Sequence, residues 1–451
     1  MPTLTFKPSV NLAGGRRARR ALAVVAGAAL GGVALLPGQA PAAGGAHATG
    51  TPRLLGGVNI IGGGGPGEID GAITAARKAK ARIVRTDVNW SELEPREPGS
   101  VDPDALARFD RMAADATHDH VRIVMTVGSS PCWATTAPAR LLSKCRPGLV
   151  TKANAFPPAD PARYAAFVAF LAHRYASQLA AIEVWNEPDQ QNERYFGGPE
   201  KVARYAALLR AAYPAIKSAA PSVTVLGGSL VGFNGVFLKA LYAAGIKGFY
   251  DGLSVHYYTL TLAALREIHE TQVAGGDRTP LWLDEFGWGS CWPQRRIEQE
   301  QPCVTPGVQA RNVTSMFQAL NGVPYVAAAI LYKLHDSGKE DFGVINSRER
   351  RKPAFKALQR VMVSTATRPA RPRLKLATRG SHVIASGRGP VGDFMVLEAF
   401  SGGALRYRAT FILDRFDRFK IALPAALGTH GLSVRVYQFA AGPGYSARRS
   451  I

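Results

Sequence analysis

Apolar runs and helix-like segments alternate eight times between residues 54 and 361 of this 451-residue chain. The runs are continuously apolar, which is expected of parallel strands that are covered on both faces. Eight strand–helix units over roughly 300 residues favour an α/β fold, a closed (β/α)8 or TIM barrel. The predicted strands are Leu54–Ile60, Arg82–Val88, Val121–Val127, Ala181–Trp185, Val223–Leu226, Leu253–Tyr257, Leu281–Glu285 and Val326–Leu331.

An open, doubly wound sheet is the alternative fold. Such a sheet normally carries a glycine-rich phosphate-binding turn after its first strand. The segment Gly62–Gly67 follows the first predicted strand, but it has no P-loop lysine, and no ribose-binding acid follows about 20 residues later. We interpret this segment as a flexible loop at the rim of a barrel.

The pattern of the chain changes at a proline- and arginine-rich stretch, Ala366–Pro372. Beyond it, short apolar runs are separated by glycines and charges, which is typical of antiparallel strands. We predict a barrel domain over 49–366 and a small antiparallel β-sandwich accessory domain over 367–451. The predicted strands of this second domain are His382–Ala385, Phe394–Ala399, Tyr407–Leu413, Phe419–Leu423 and Leu432–Phe439.

Residues 1–48 have the composition of a signal peptide. Arginines between residues 16 and 20 precede an apolar stretch, Ala21–Leu36, and then small residues and prolines. Both Ala40–Ala42 and Ala46–Ala48 fit a small-x-small cleavage site. The apolar stretch is shorter than the about 20 residues of a membrane span, although an uncleaved anchor stays open as an alternative. The segment predicts a secreted or extracytoplasmic protein.

The formal net charge of +22 narrows the classes of partner. From residue 370 onward, 13 residues are basic and 4 are acidic. This charge would suit the binding of an anionic cell-envelope polymer. The alternatives are that the basic residues only form a solvated surface, or that the domain packs on the barrel. No nucleic acid is expected, because no basic helix, zinc-ligand set or aromatic–basic motif accompanies the charge. We expect a monomer.

Four cysteines fall in two neighbouring pairs, Cys132 with Cys145 and Cys291 with Cys303. Export favours disulfides, and four cysteines allow three pairings. The local pairing is the simplest, because each bond would then brace one loop. The spacing has neither the CxxC pattern nor the histidine cluster of a zinc site, so no metal is expected.

Two glutamates stand at the ends of predicted strands. Glu187 follows strand four in the segment Ile182–Pro188, and Glu285 ends strand seven in the segment Leu281–Gly287. Packing explains such acids poorly, because a buried carboxylate is costly unless it is paired. In a (β/α)8 barrel the carboxyl ends of the strands form the active site. Two carboxylates flanking one glycosidic bond are what glycoside hydrolysis requires.

In these motifs the chain resembles the clan A retaining glycoside hydrolases, in particular families 39 and 5, from about residue 52 to 362. Asn186-Glu187-Pro188 is similar to the clan's acid/base motif, and Glu285-Phe286-Gly287 is similar to the segment of its nucleophile. The resemblance implies a secreted retaining β-glycosidase that cleaves a poly- or oligosaccharide by double displacement, without a cofactor. A catalytically inactive carbohydrate-binding barrel at the cell envelope is the alternative function.

The resemblance implies roles for further residues. Arg85, placed at the end of strand two, and Tyr258, in the segment His256–Tyr258, are the implied donors to Glu285. Asn186 is the implied partner of the sugar 2-hydroxyl. A β-bulge at the end of strand four would aim the neighbouring glutamate into the cleft. His256 is expected to contact the substrate or Glu187, or else to be a buried barrel histidine.

Aromatic residues after the strands are candidates for stacking on a sugar ring. Trp133 and Trp288 are the stronger candidates, and packing at the rim is the alternative for each. The clan's tryptophan after strand eight is absent, and Tyr332 is its candidate substitute. Two further tryptophans, Trp90 and Trp292, also follow predicted strands, and the acids after strand two, Asp87, Glu92 and Glu94, are interpreted as members of loop salt bridges.

Overall fold

The computed structural model describes residues 54–60, 71–232, 234–258, 262–291, 303–337, 340–364, 371–389, 394–412, 418–438 and 446–451. The predicted signal peptide, the Gly62–Gly67 loop, Trp292 and the predicted domain boundary at 366/367 lie outside these ranges. Within them, no helix combines the length and the apolar character that crossing a membrane requires.

Eight parallel strands close into a barrel in sequence order, with the last strand paired to the first. This confirms the predicted barrel and excludes the open sheet. The strands are β1 (Leu55–Asn59), β2 (Ile83–Asn89), β3 (Arg122–Gly128), β4 (Leu179–Val184), β5 (Thr224–Leu230), β6 (Gly252–His256), β7 (Leu281–Phe286) and β8 (Val326–Leu331).

Helices follow the strands and cover the barrel. Three of them begin with a proline behind a capping side chain. Asp102, Asp160 and Thr305 accept hydrogen bonds from backbone N–H groups in the first turns of the helices that begin at Pro103, Pro161 and Pro306. The helices are α1 (Ala72–Lys78), α2 (Trp90–Leu93), α3 (Pro103–Asp119), α4 (Ala139–Leu142), α5 (Pro161–Arg174), α6 (Lys201–Ala219), α7 (Val236–Ala243), α8 (Ala263–Ala274), α9 (Pro306–Leu320) and α10 (Pro353–Ser364).

Alternate strand residues divide the barrel core into two layers. Inward residues such as Ile83, Val124 and Trp282 form one apolar cluster. Their neighbours along the strands, such as Val84 and Leu283, belong to the larger cluster that includes the helices. The inner cluster fills the interior below the carboxyl ends of the strands, so polar residues one step further along can lie above it.

The C-terminal region forms two antiparallel sheets, one in the order β13-β10-β9 and the other in the order β12-β11-β14-β15. They enclose a separate apolar core that includes Leu374, Val383, Met395 and Val434. This confirms the predicted sandwich. Its strands are β9 (Arg373–Arg379), β10 (His382–Arg388), β11 (Phe394–Ser401), β12 (Ala404–Ile412), β13 (Arg418–Ala422), β14 (Leu432–Gln438) and β15 (Ala447–Ser450).

Both disulfides join local partners, Cys132 with Cys145 and Cys291 with Cys303. The simplest of the three possible pairings is therefore confirmed. The first bond closes a loop after β3, and the second closes a loop after β7. Each bond thus braces a connection at the carboxyl-terminal end of the barrel, where an active site would lie.

Candidate active site

Strand β2 carries Arg85 into the interior of the barrel. Ile83, Arg85 and Asp87 alternate along the strand and therefore share one face, and Ile83 lies in the inner apolar cluster. Arg85 lies above this cluster. It stands in the middle of β2, whereas the sequence analysis placed it at the end of this strand. Its side chain is fully buried.

The buried guanidinium of Arg85 contacts three carboxylates. Its Nη1 lies 2.6 Å from Glu285 Oε1 and its Nη2 lies 2.8 Å from Glu183 Oε2. Its Nε lies 3.1 Å from Asp284 Oδ2. In addition, Nη2 donates a hydrogen bond of 2.8 Å to Asn186 Oδ1. One planar donor group thus orients four side chains, which a lysine could not do.

A β-bulge in β7 brings both of its acids into the interior. In the ladder with β6, Leu283 pairs with Val255 and Glu285 pairs with His256, so Asp284 is an extra residue without a partner. Strict alternation would aim two consecutive side chains to opposite faces. A bulge re-aims a side chain, and here it lets Glu285 reach Arg85 from the same side as its neighbour.

Glu285 receives a second strong donor from Tyr258, which follows β6. The phenol donates to Glu285 Oε2 at 2.7 Å, while Arg85 holds Oε1. Burial and the Glu285 carboxylate raise the pKa of Tyr258 well above its usual value, so the phenol keeps its proton and stays a donor. The two donors expected from the sequence therefore meet on this one carboxylate.

Glu187 reaches the site through a left-handed backbone. Both Trp185 (φ 67°) and Glu187 (φ 45°) have positive φ, which is uncommon outside glycine. The ladders of β4 are regular up to Val184, and the single irregularity lies at the start of the strand. The predicted bulge at the end of strand four is therefore wrong, because two left-handed residues re-aim the side chain instead.

His256 lies between the two glutamates at the end of β6. Its Nδ1 is 2.7 Å from Glu187 Oε1 and 3.4 Å from Glu285 Oε2. Burial lowers the pKa of His256, but the Glu285 and Asp284 carboxylates outweigh this effect, and the pKa is raised above its usual value. The ring is therefore poised to donate to Glu187. Gln190 Nε2 donates to the other oxygen of this glutamate.

The two glutamates share one small space. A carboxylate oxygen of Glu187, a ring nitrogen of His256 and a carboxylate oxygen of Glu285 all lie within 4.8 Å of one another. Both glutamates are 7% exposed, so each is enclosed and still open to the cleft. This trio could also supply metal-ligand atoms, but the cationic Arg85 beside Glu285 is an unfavourable neighbour for a metal ion. Hydrogen bonds among these groups account for the arrangement.

A second pair of buried acids, Glu183 and Asp284, lies behind the first. Burial and the nearby Glu183 raise the pKa of Asp284 to about 8. Burial also acts to raise the pKa of Glu183, but the Arg85 guanidinium prevails and the pKa is lowered to about 2. Thr126 adds a hydrogen bond of 2.6 Å to Glu183 Oε2. At neutral pH the pair therefore holds one charge and one proton.

Sequence reasoning missed this second pair. Asp284 directly precedes Glu285, and Glu183 lies shortly before Glu187. Both acids sit inside strands that are otherwise mostly apolar. The available signal was the acid itself within a fully buried run, since such a group needs a partner. The partner is Arg85, which also lies inside a strand.

Two cavities open on either side of the Asn186–Glu187 step. The first, of about 250 Å³, is lined by Asp87, Trp185, Asn186 and Tyr195, among others. The second, of about 730 Å³, is lined by Glu187, His256 and Tyr258, together with Asp189, Gln190, Val231, Asn234 and Phe237. Two consecutive residues, Asn186 and Glu187, thus line two different cavities.

Asp87 differs from its predicted role. Its side chain is open to the first cavity, and no hydrogen bond or ion pair joins it to the described residues. Although Asp87 is exposed at the surface, the protein around its carboxyl displaces water and raises its pKa above the usual value. The other acids of this segment do have partners, because Glu92 lies 3.9 Å from Arg108 and Glu94 accepts from Trp90 Nε1 at 2.8 Å.

The two tryptophans chosen as sugar platforms lie elsewhere. Trp288 is 5% exposed and packs edge-on against Phe286, so it offers no open ring face. Trp133 packs edge-on against Trp90 and donates to a loop carbonyl at 2.9 Å. Neither lines either cavity. Both rings therefore fit the alternative, packing at the rim.

Other aromatic rings lie next to the site, although Trp185, at 1% exposed, is as deeply buried as Trp288. Trp185 and Tyr195 line the first cavity, and Trp185 Nε1 donates to the Tyr195 carbonyl at 2.7 Å. Tyr332, which follows β8, lies edge-on to Tyr258 with the ring centroids 6.0 Å apart. The candidate substitute for the clan's strand-eight tryptophan thus lies next to a donor of Glu285.

The sequence matches no family model and no curated protein. The structure is similar to a family 39 glycoside hydrolase from Bacteroides cellulosilyticus WH2, with 17% identity, a TM-score of 0.53, and 83% of this chain and 80% of that chain covered.

Two further solved structures are similar. GH5_18 from Streptomyces cattleya in complex with GlcNAc has 16% identity and a TM-score of 0.51, over 70% of this chain and 82% of that chain. A GH39 β-xylosidase from Caulobacter crescentus has 14% identity and a TM-score of 0.53, over 86% and 96%. At these identities the likeness establishes the fold, and the barrel of this chain is the one found in those enzymes.

Proposed function

We propose that the chain is a retaining glycoside hydrolase that cleaves O-glycosidic bonds of a poly- or oligosaccharide. The observation that carries the proposal is the close approach of Glu187 and Glu285. One carboxylate oxygen of each lies within 4.8 Å of the other, with His256 between them. Retaining enzymes have carboxyl groups about 5–5.5 Å apart, whereas inverting enzymes need about 6.5–9.5 Å. The similarity of the barrel to family 39 and family 5 enzymes supports the same class.

In the first step Glu285 attacks the anomeric carbon, and Glu187 donates its proton to the leaving oxygen. Arg85 and Tyr258 hold the two oxygens of Glu285 in place, which orients one of them for attack. The bond from the anomeric carbon to the leaving oxygen breaks as the ester bond to Glu285 forms. Asn186, fixed by Arg85, is the proposed partner of the sugar 2-hydroxyl.

In the second step Glu187, now a carboxylate, removes a proton from water, and the water oxygen attacks the anomeric carbon. The ester bond to Glu285 breaks, and the product keeps its original anomeric configuration. His256 and Gln190 both contact Glu187 and hold it in the same place in the two steps. In both steps, bonds and protons are exchanged only among the substrate, the two carboxyl groups and water.

Aryl β-glycosides of several sugars test this proposal. The E285Q variant should lose hydrolysis, since it lacks the nucleophile. The E187A variant should lose about 10²- to 10⁴-fold on poor leaving groups, and azide should restore turnover by forming a β-glycosyl azide. The E267Q variant, altered at an exposed glutamate of α8, is the matched control and should keep wild-type activity.

The first-formed sugar, followed by NMR, should have the β-configuration of the substrate. An inverted product, or full activity of E285Q, would refute the proposed mechanism. Binding of glycans without hydrolysis by the wild type, over a broad panel of sugars, would establish the inactive carbohydrate-binding barrel in its place.

We also propose that the protein is exported and acts outside the cytoplasm. The two disulfides support this proposal, because such bonds persist in oxidising compartments. The N-terminal sequence of protein recovered from the medium or the envelope should begin after Ala42 or Ala48. Recovery of an intact N-terminus there would favour the uncleaved anchor.

A further inference from the structure

The sheet β13-β10-β9 of the C-terminal domain has one apolar face and one cationic face. Leu374, Val383 and Phe419 are buried in the domain core. The residues that alternate with them point outward, since consecutive strand residues face opposite sides. Among the outward residues, seven are basic or histidine and exposed: Arg373, Lys375, Arg379, His382, Arg388, Arg418 and Lys420. We call this surface the cationic face.

The strand register places like charges directly opposite one another. Arg388 of β10 pairs with Arg373 of β9 on one side and with Arg418 of β13 on the other, which makes a row of three arginines. In the next outward row, Ser386 stands between Lys375 and Lys420. None of the three strands contains an acidic residue.

This arrangement costs stability in the isolated protein. Like charges directly opposite on neighbouring strands are destabilising. No ion pair within the described residues neutralises Arg373, Lys375 or Arg388, whereas Arg435 on the other sheet lies 2.5 Å from Glu398. A solvated surface needs no such rows, but an anionic ligand would reduce the repulsion and gain from the charges of Arg373, Lys375 and Arg388.

The cationic face continues into a concave region at the edge of β9. A cavity of about 720 Å³ is lined there by Arg373, Lys375 and Arg449, the last from β15. Along β9, from Arg373 to Arg379, the face is about 20 Å long, and its three strands make it about 10 Å wide. These dimensions fit several consecutive units of an extended polymer.

We propose that the cationic face binds a polysaccharide that carries repeated carboxylate or phosphate groups. The outward positions between the charges, Ala377, Ile384, Ser386 and Ala422, include no aromatic ring. Single-stranded nucleic acids and neutral sugars are bound largely by stacking on aromatic rings, so the face favours neither of them. The choice of a polysaccharide among polyanions rests on the proposed function of the barrel.

The binding test uses the full chain with E285Q, so that no substrate is consumed. Polygalacturonate and poly(glycerol phosphate) are the anionic probes, and dextran is the neutral control. We expect one or both anionic probes to bind, with an affinity that falls as salt is raised, and no binding to dextran. Failure of both anionic probes to bind at low salt overturns the proposal.

The K375E/R388E double variant removes the charge pattern. It should weaken binding by about tenfold or more, as expected for several exposed charge pairs. Its fold should persist, because the new carboxylate at position 388 stands between Arg373 and Arg418. The matched control is R278E/K356E, which makes the same change of net charge at exposed positions of the barrel and should bind like the parent.

Equal weakening by both double variants would mean that only net charge matters and would refute the assigned face. Tighter binding of duplex DNA or of anionic vesicles than of both polysaccharides would refute the proposed class of partner. Hydrolysis of aryl glycosides by the wild-type chain is measured in a separate assay. Failure to bind the polymer can therefore be distinguished from absence of glycosidase activity.

Discussion

Arg85 shows how much of the candidate site depends on one side chain. It joins the proposed nucleophile, the proposed 2-hydroxyl partner and both members of the second acid pair. Its pKa is raised well above the usual value, since the surrounding carboxylates outweigh the opposing effect of burial. A permanent cation at this position keeps several acids close together that would otherwise repel one another.

The R85K variant should therefore lose at least about a hundredfold in kcat/KM on an aryl glycoside, because a lysine cannot reproduce the planar set of donors. The matched control is R174K. Arg174 also bonds a carboxylate, Asp110, through two nitrogens, but at the surface, where such pairs contribute little. Similar kinetics for R85K and the wild type would refute the assigned role.

Asp284 makes the stability of the protein depend on pH. Its pKa is about 8 in the fold, compared with about 3.9 for an unperturbed aspartate. Between these values the folded state holds a proton that the unfolded chain has released. This contribution to stability is complete below about pH 4 and is lost as the pH rises through 8.

The D284N variant should remove this pH dependence, because an amide stays neutral at every pH. Denaturant unfolding measured at pH 5 and pH 7 should show a smaller loss of unfolding free energy for D284N than for the wild type. The difference is at most about 1.4 kcal/mol per pH unit for one proton. D104N, at an exposed position, is the control. An unchanged slope in D284N would contradict the buried neutral acid.

At the scale of elements, β7 and β4 solve the same problem in different ways. β7 carries two consecutive acids, Asp284 and Glu285, and the segment after β4 carries the consecutive polar residues Asn186 and Glu187. Both members of each pair have to reach the site. β7 uses a bulge at Asp284, and the segment after β4 uses left-handed backbone at Trp185 and Glu187. A sequence pattern shows that two neighbours are needed on one face, but it does not show which device is used, because that depends on the register with neighbouring strands.

Gly287 has a steric reason to be glycine. A Cβ atom at this position would lie 2.0 Å from the Tyr332 carbonyl oxygen. The G287A variant should push the ends of β7 and β8 apart and lower the unfolding free energy by about 1–3 kcal/mol. Because Glu285 lies two residues away, activity should fall as well.

The control for this change is G307A in the first turn of α9, where the nearest atom to a Cβ would be 3.9 Å away. Alanine is the better helix former, so G307A should be neutral or slightly stabilising in the same denaturant titration. Equal unfolding free energies of G287A and G307A would contradict the prediction, because the strand ends would then accommodate the new Cβ atom without loss of stability.

At the scale of the whole molecule, the architecture could be predicted from the sequence more accurately than the contacts of single side chains. Eight apolar runs that alternate with helices favour a barrel, because this is the number of strand–helix units in that fold. Contacts of single side chains were less predictable. Trp288, which follows β7, is buried, and Asp87, inside β2, has no hydrogen bond or ion pair with the described residues. Whether a residue at a strand end faces the cleft depends on the loops around it, which periodicity does not describe.

The C-terminal domain has two strands that the sequence analysis missed. β9 alternates basic and apolar residues close to the predicted linker, and β15 is short and mostly basic. Neither segment contains a continuous apolar run, and charged residues are depleted in strands. In the fold these charged side chains lie on the outward side of β9 and along β15, at the edge of its sheet. A search for apolar patterns therefore predicted only the neighbouring strands.

The presence of space on both sides of the Asn186–Glu187 step has a consequence for how a long substrate is shortened. A polymer lying in both cavities can be cut in its middle, without first offering a chain end. The viscosity of a dissolved substrate should then drop steeply while few new reducing ends have formed. Steady release of single sugars from a solution that stays viscous would show that one of the two spaces is closed to the chain.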